Sequence, residues 1–265
     1  MKRTPLSLRV AVAMLAAVML VAFAFPYGGA YAQTANADSS VRAGGSTAGT
    51  TYYVDSENGD DSHSGTSETE AWKTLDKVNA TIFKPGDRIL FKAGGVWNGQ
   101  LWPKGSGTED APIVIDKYGD GDSLPVINGG GVKRPYHQTG AVMLRNQEYW
   151  EIRHLEVTND DDFDRDLVET TYENGEPANI RDGILIVLDT DEVAEGGSGI
   201  MHHIYVSDCY IHDVDSPNEW PNEYGNASFN GGIIFYVIGS LKPKMTFDDV
   251  QIEHEIGMWI TQACG

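Results

Sequence analysis

The sequence predicts an all-β solenoid: a stack of parallel coils with one short helix closing its N-terminal end. Three observations carry this prediction. From Asp87 onward, short β-branched segments recur and each stops at Gly, Asn or Asp: RILFKAG, PIVIDKYG, PVINGGG, AVMLRN, YWEIRHLEVTND, DGILIVLD, HHIYVSDCYIHDV, GGIIFYVIG and FDDVQIEHEIGMW. The later segments fall into matching pairs, at Ala141/Trp150, Gly183/His203 and Gly232/Asp249, which is an internal repeat. No helical period separates them, so each strand is expected to pair with its equivalent one coil away around a column of Ile, Val and Leu. A β-sandwich with one decorating helix is the competing architecture, and it leaves the paired repeat unexplained.

The elements follow in order. Lys2, Arg3 and Arg9 precede an apolar run from Val10 to Phe25, Pro26 breaks it, and Ala30-Tyr31-Ala32 has the small-x-small pattern of a cleavage site. Residues 1–32 thus read as a signal peptide, and the run is short of the ~20 residues that a spanning helix needs. Export to the medium or the cell surface is the expectation, with no membrane insertion after cleavage. Residues 33–50, QTANADSSVRAGGSTAGT, are small and polar without a period and read as a disordered linker. The ordered domain is placed at 51–265, with an N-terminal cap at about 51–86. There a strand (Thr51 to Val54) gives way to a polar loop and then a helix over 67–80. Ser67 and Glu70 have capping-box spacing, and Trp72, Leu75 and Val78 share one face. A solenoid has an exposed apolar end, and this helix is the expected lid.

Charge and cysteine content narrow the partners. Removing residues 1–32 shifts the formal net charge from −20 to −23, since the segment holds three basic residues and no acidic ones. Such a surface repels nucleic acid and anionic lipid, and polyanionic glycans too unless a divalent cation intervenes. A monomer is expected. The two cysteines, Cys209 and Cys264, are too few for a disulfide scaffold; a Cys209–Cys264 bridge and a buried thiol are both open. No spacing suggests structural zinc or an organic cofactor.

The stretch from TYYVDSENGDDSHSGTSETEAWKTLDKVN through FKPGDRILFKAGGVWNGQLWPKGSGTEDAPIVIDKYG to PVINGGG resembles the N-terminal part of secreted right-handed parallel β-helix proteins with the pectate-lyase-like fold. YWEIRHLEVTN, HHIYVSDCYIHDV and GGIIF resemble the coil repeats of the same group. The resemblance covers about residues 51–262. It implies a right-handed parallel β-helix and a carbohydrate-active protein. The fold hosts lyases, glycosidases, epimerases and adhesins, so it does not choose the reaction. Such helices run for many more coils and end in a cap, whereas this chain stops at MWITQACG, which reads as a fragment of a longer protein.

Stacked coils place equivalent residues ~4.8 Å apart. Acidic residues at strand ends could therefore reach the carboxylate separations of retaining (~5 Å) or inverting (~6.5–9.5 Å) glycosidases. The segment IHDVDSPNEW supplies His212, Asp213, Asp215 and Glu219 at the start of a long insertion, and Trp220 and Tyr224 within it suit stacking on sugar rings. Asp213 and Asp215 are the expected acid/base or nucleophile, His212 orients or binds, and Asp182 and Asp189, at the two ends of a neighbouring strand, are their potential carboxylate partners. Arg181 and Glu219 are the expected polar binding groups. The bland reading is that HDVDSPN simply closes a turn.

A second cluster, NDDDFDRDLVETTYE, places Asp162, Asp164 and Asp166 at alternate positions with Glu173 at the last-ligand spacing of an EF-hand loop. Leu167 stands where that loop needs Gly, so it is no EF-hand, yet seven acidic residues from Asp160 to Glu173 call for neutralisation, by Ca²⁺ or by solvent. The opening loop (Asp55, Glu57, Asp60, Asp61) is a weaker calcium candidate. His202-His203 begin a strand and should point to opposite faces, which excludes a joint metal pair. His154 and His254 read as structural.

A polysaccharide is the expected partner. Glycoside hydrolysis leads a calcium-assisted lyase reaction, because a lyase needs a base beside a uronate carboxyl and the region after Tyr118 has only three lysines, Lys133, Lys242 and Lys244. Non-catalytic glycan binding is the third reading.

Overall fold

Apolar side chains of each coil lie directly over those of the next, and the strand register shows how. The structure, a computed structural model, describes residues 49–131, 134–135, 137–160, 180–193, 199–214, 231–240 and 245–254. The expected site residues Asp215, Glu219, Trp220 and Tyr224 and the calcium candidates Asp162, Asp164, Asp166 and Glu173 fall outside these residues, as do the leader and the linker up to residue 48. Among the described residues no helix is long and apolar enough to cross a membrane.

Among the described residues thirteen strands form three sheets, and every pairing between them is parallel. The first sheet contains, in spatial order, β1 (Thr51–Val54), β2 (Arg88–Lys92), β4 (Ile113–Tyr118), β7 (Trp150–Arg153), β10 (Gly199–Ser207) and β13 (Met245–Glu253). The second contains β3 (Val96–Asn98), β5 (Val126–Asn128), β8 (Glu156–Thr158) and β11 (Tyr210–Ile211). The third contains β6 (Gly140–Arg145), β9 (Asp182–Asp189) and β12 (Gly231–Ile238). Each coil visits the three sheets in turn, as in β7, β8, β9 and then β10, β11, β12, so the chain winds as a three-faced parallel β-helix.

The register writes out the core. Ile89, Ile115, Ile152, Val206 and Ile252 stack down the first sheet. Trp97, Ile127, Val157 and Ile211 stack down the second, and Val142, Ile184 and Ile233 down the third. All but Ile252 are buried. Each such side chain contributes roughly 1.5–3 kcal/mol of burial, so the stack can be stable without disulfides. The expected pairing of Ala141, Gly183 and Gly232 holds residue for residue. In the other set, His203 and Asp249 align with Tyr149, one residue before the expected Trp150.

The N-terminal cap differs in detail from the expectation. The helix, α1, spans only Leu75–Ala80; its N-cap is Thr74, whose hydroxyl accepts the Lys77 amide, while Glu68–Glu70 form a separate 3₁₀ turn and Ser67 makes no capping bond. The reason lies at Trp72, which pairs with β1: its N–H donates to the Tyr53 carbonyl at 2.9 Å and its carbonyl accepts the Asp55 amide at 2.8 Å. That pairing holds residues 71–73 extended, and a helix can start only afterwards. Trp72, Leu75 and Val78 join the hydrophobic core, each at most 5% exposed.

The polar loop before the helix is closed by its own carboxylates. Asp55 accepts the amides of Glu57 and Asn58 and the Lys92 ammonium at 2.6 Å, and Asp61 accepts the amides of Lys73 and Thr74. Burial works against the Asp55 charge, but Lys92 and the two amides overcome it and hold the carboxyl at about 2.

Gly105 is a point where backbone approach forbids a side chain. It has φ 107°, and a Cβ there would lie 2.1 Å from the Phe83 carbonyl oxygen. Its carbonyl accepts the indole N–H of the fully buried Trp150 at 3.0 Å. Gly105→Ala should therefore cost at least about 1–3 kcal/mol. A thermal melt should show a drop of several degrees, and an unchanged Tm would remove this account of the turn.

Candidate functional site

The three corners of the coil are unequal. The corner from the first sheet to the second spans 93–95 and 119–125 in the earlier coils and tightens in the later ones to two-residue turns, His154-Leu155 and Asp208-Cys209, with His154 and Asp208 in the left-handed region (φ 48° and 55°). Asn, Asp and His tolerate that region better than other non-glycine residues. Cys209 is buried there, with its Sγ 3.4 Å from the Ser207 carbonyl oxygen; Cys264 lies outside the described residues. The corner from the second sheet to the third carries the long segments 129–139, 159–181 and 212–230.

A buried polar knot ties the roots of those segments. Asn159, fully buried, donates through Nδ2 to the carbonyls of Thr139 at 2.9 Å and Asp182 at 2.8 Å, and its Oδ1 accepts the Gly131 amide at 3.2 Å. Its own amide donates to the Asp213 carbonyl at 3.0 Å. Arg181, 4% exposed, donates from Nε to the Gly131 carbonyl at 2.9 Å. The Thr139 hydroxyl lies 2.5 Å from Asp182 Oδ2, while Asp182 Oδ1 makes no hydrogen bond of good geometry with any described residue. Burial pushes the Asp182 carboxyl up to about 7, against the opposing pull of the Thr139 hydroxyl and the Gly231 amide.

These findings sort the expected residues. Asp213 stands at the surface, with φ 47° and 70% of its side chain exposed. His212 is held beside it, with Nδ1 at 2.8 Å from Asp213 and Nε2 at 3.1 Å from Glu156, and with its ring stacked on Tyr210. Asp182 and Arg181 lie inside the knot, so the structure does not bring them to the surface that Asp213 occupies. Asp189 accepts from Arg145, which also pairs with Glu192. The corner thus offers one solvent-facing carboxylate oriented by an imidazole, above a carboxyl poised to take up a proton near neutrality.

Sequence reasoning missed a second array, on the outer face of the first sheet. Strict alternation fails at His203, because Tyr149, His203 and Asp249 form a column of left-handed residues (φ 61°, 53° and 57°) across three coils. The resulting bulge lets both His202 and His203 stack near the Tyr149 ring, at 5.9 and 6.0 Å. They remain separate: His202 Nδ1 contacts Glu148 at 2.7 Å, whereas His203 bridges Glu151 at 3.2 Å and Asp249 at 3.0 Å. The Tyr205 hydroxyl donates to Asp249 at 2.8 Å, which holds that carboxyl below its usual range and raises the phenol. His154 and His254 likewise meet carboxylates, Asp116 at 2.7 Å and Asp208 at 3.4 Å. Among the described residues no His/Cys/Asp/Glu group is arranged to hold a metal. The signal was present in the outward positions of WEIR, IYVS and VQIE, all polar or aromatic, but nothing in the sequence marks the bulge.

Comparison with known proteins places this geometry. No protein-family profile matches the chain. The chain is 35% identical, over 278 aligned residues and 94% of its length, to the lacto-N-biosidase of Bifidobacterium longum subsp. longum, and it spans 17% of that protein. Crystal structures of the GH136 lacto-N-biosidase from Eubacterium ramulus superpose with TM-scores of 0.59 (selenomethionine form, 27% identity) and 0.58 (native form, 26% identity). They cover 78% and 77% of this chain, which spans 34% of theirs. Three parallel sheets wound as stacked coils, with the longest insertions at one corner, make the chain a parallel β-helix protein.

Proposed function

We propose that the chain supplies β-helix coils of an exported glycoside hydrolase with lacto-N-biosidase-type activity on glycans. The observation that carries this reading is the 35% identity to a lacto-N-biosidase along 94% of the chain. The structure supports it in kind. Asp213 is an exposed carboxylate at the root of the segment that contains Asp215, Trp220 and Tyr224, and the acidic surface suits a neutral glycan. The leader-like residues 1–32 support export.

The test is hydrolysis by the full-length protein that carries this chain, with an oligosaccharide ending in lacto-N-biose. New reducing ends and free disaccharide are the expected products. Unsaturated, ultraviolet-absorbing products would move the protein to the lyases, and retention of the glycan without products would make it a binding protein. Asp213→Asn in the same assay reads the role of the corner. A kcat loss of about 10²–10⁴ marks a general acid or base, and a raised KM at constant kcat marks a binding group.

A further inference from the structure

A groove of about 230 Å³ runs over the outer face of the first sheet, on a different side of the coil from Asp213. Glu151 and Arg153 of β7, Tyr205 and Ser207 of β10, and Gln251 and Glu253 of β13 line it. The register sets them in two rungs, Glu151–Tyr205–Gln251 and Arg153–Ser207–Glu253. Three strands at ~4.8 Å spacing make each rung about 10 Å long.

The rungs differ in what they leave available. The first is closed on itself: Gln251 Nε2 donates to the Tyr205 hydroxyl at 2.9 Å, that hydroxyl donates to Asp249, and Glu151 holds both His203 and Arg153. The second is open. Ser207 Oγ and the Glu253 carboxylate make no hydrogen bond with any described residue, and Arg153 engages only its Nη2, at 2.5 Å from Glu151. Along that rung lie a guanidinium with donors to spare, a hydroxyl that both donates and accepts, and a carboxylate that only accepts. Neighbouring sugar hydroxyls, each a donor and an acceptor, match this order.

Charge and size restrict the ligand. Glu151 and Glu253 line the groove beside the Arg153 cation, and Glu151 and Asp249 flank the bridging His203, so an anionic sugar is repelled. The volume falls below the ~300 Å³ at which sites for drug-sized ligands begin, which fits one ring and its hydroxyls. We infer that this groove is a second glycan-binding surface, taking one ring of a neutral hexose-based glycan through Arg153, Ser207 and Glu253. The choice of a glycan rests on the hydrolase reading above; the groove and its open donors and acceptors do not.

The test is a titration of the full-length protein with lacto-N-biose and, separately, with galacturonic acid, followed by calorimetry and by the amide shifts of Ser207 and Gln251. Saturable binding of lacto-N-biose that shifts both amides is expected, with galacturonic acid at least fivefold weaker. Arg153→Ala and Glu253→Gln should each weaken the neutral ligand at least fivefold. The Glu253 carboxylate has no partner among the described residues, so its variant is the one that keeps the fold if Arg153→Ala does not. Unmoved amides, equal affinity for both sugars, or unchanged affinity in Glu253→Gln would each overturn the assignment. Hydrolysis with no binding here sinks the groove and leaves the hydrolase reading standing; binding here without hydrolysis does the reverse.

Discussion

Asn159→Ala should destabilise the protein by about 3–5 kcal/mol, the largest single-residue effect expected among its polar side chains. The substitution removes all three side-chain hydrogen bonds in a site with no solvent access: the Gly131 amide and the Asp182 carbonyl lose their Asn159 partner, while the Thr139 carbonyl keeps the Asp182 amide at 3.3 Å. Each orphaned buried group costs ~1–3 kcal/mol. Asn159→Asp should fare no better, because a carboxylate would then face two carbonyl oxygens. The packing is as close as the hydrogen bonding: a Cβ at Gly129 would lie 2.3 Å from Asn159 Oδ1. Urea unfolding is the measurement, and the midpoint should fall with little change in m. A loss under about 1 kcal/mol would mean that the roots of the long segments are held by something other than this amide.

Asp182 should make stability fall as pH rises through the neutral range. Its carboxyl titrates near 7 in the folded protein against an ordinary 3.8. Between those values the folded state binds a proton that the unfolded state has released, so folding is favoured at the acid end and the benefit is gone above about pH 7. One unit is 1.36 kcal/mol, and the whole span is worth roughly 4 kcal/mol. Other carboxylates act in the opposite sense at lower pH: Asp55 is held at about 2, and Asp61 and Asp249 are also lowered. The difference between wild type and Asp182→Asn isolates this contribution. The substituted amide keeps the shape and loses the titration, so the variant should gain on wild type steadily from pH 4 to 7. Parallel stability curves for the two proteins would show that Asp182 is ionised in the native state.

The coil architecture was legible because the strand code is local. Ile152, Val206 and Ile252 alternate with polar neighbours, and each segment stops at a residue that tolerates a tight turn, so periodicity alone finds the strands. Equivalent placement of Ala141, Gly183 and Gly232 in the repeat then gives the pairing. The helix start was not legible, because Ser67 and Glu70 satisfy a capping rule that the strand pairing of Trp72 overrides. The site was harder still. Asp182 is at a strand end, as acidic site residues should be, yet its burial depends on Thr139 and Asn159, which come from corner segments distant in sequence. The groove over β7, β10 and β13 exists only once three segments, about fifty residues apart in sequence, are set side by side.

The unequal corners set a side that is tight in the later coils against an editable side. The two-residue turns at His154 and Asp208 leave no slack in the later coils, whereas the same corner holds 93–95 and 119–125 in the earlier coils with the column from Trp97 to Ile211 still in register. At the second corner the chain leaves for 129–139, 159–181 or 212–230 and returns to the same register at Gly140, Asp182 or Gly231. Length and composition can change there without disturbing the stack. New specificities can thus be grafted by exchanging whole corner segments between Asn128 and Gly140, Thr158 and Asp182, or Ile211 and Gly231, provided that Asn159 and its partners travel with them.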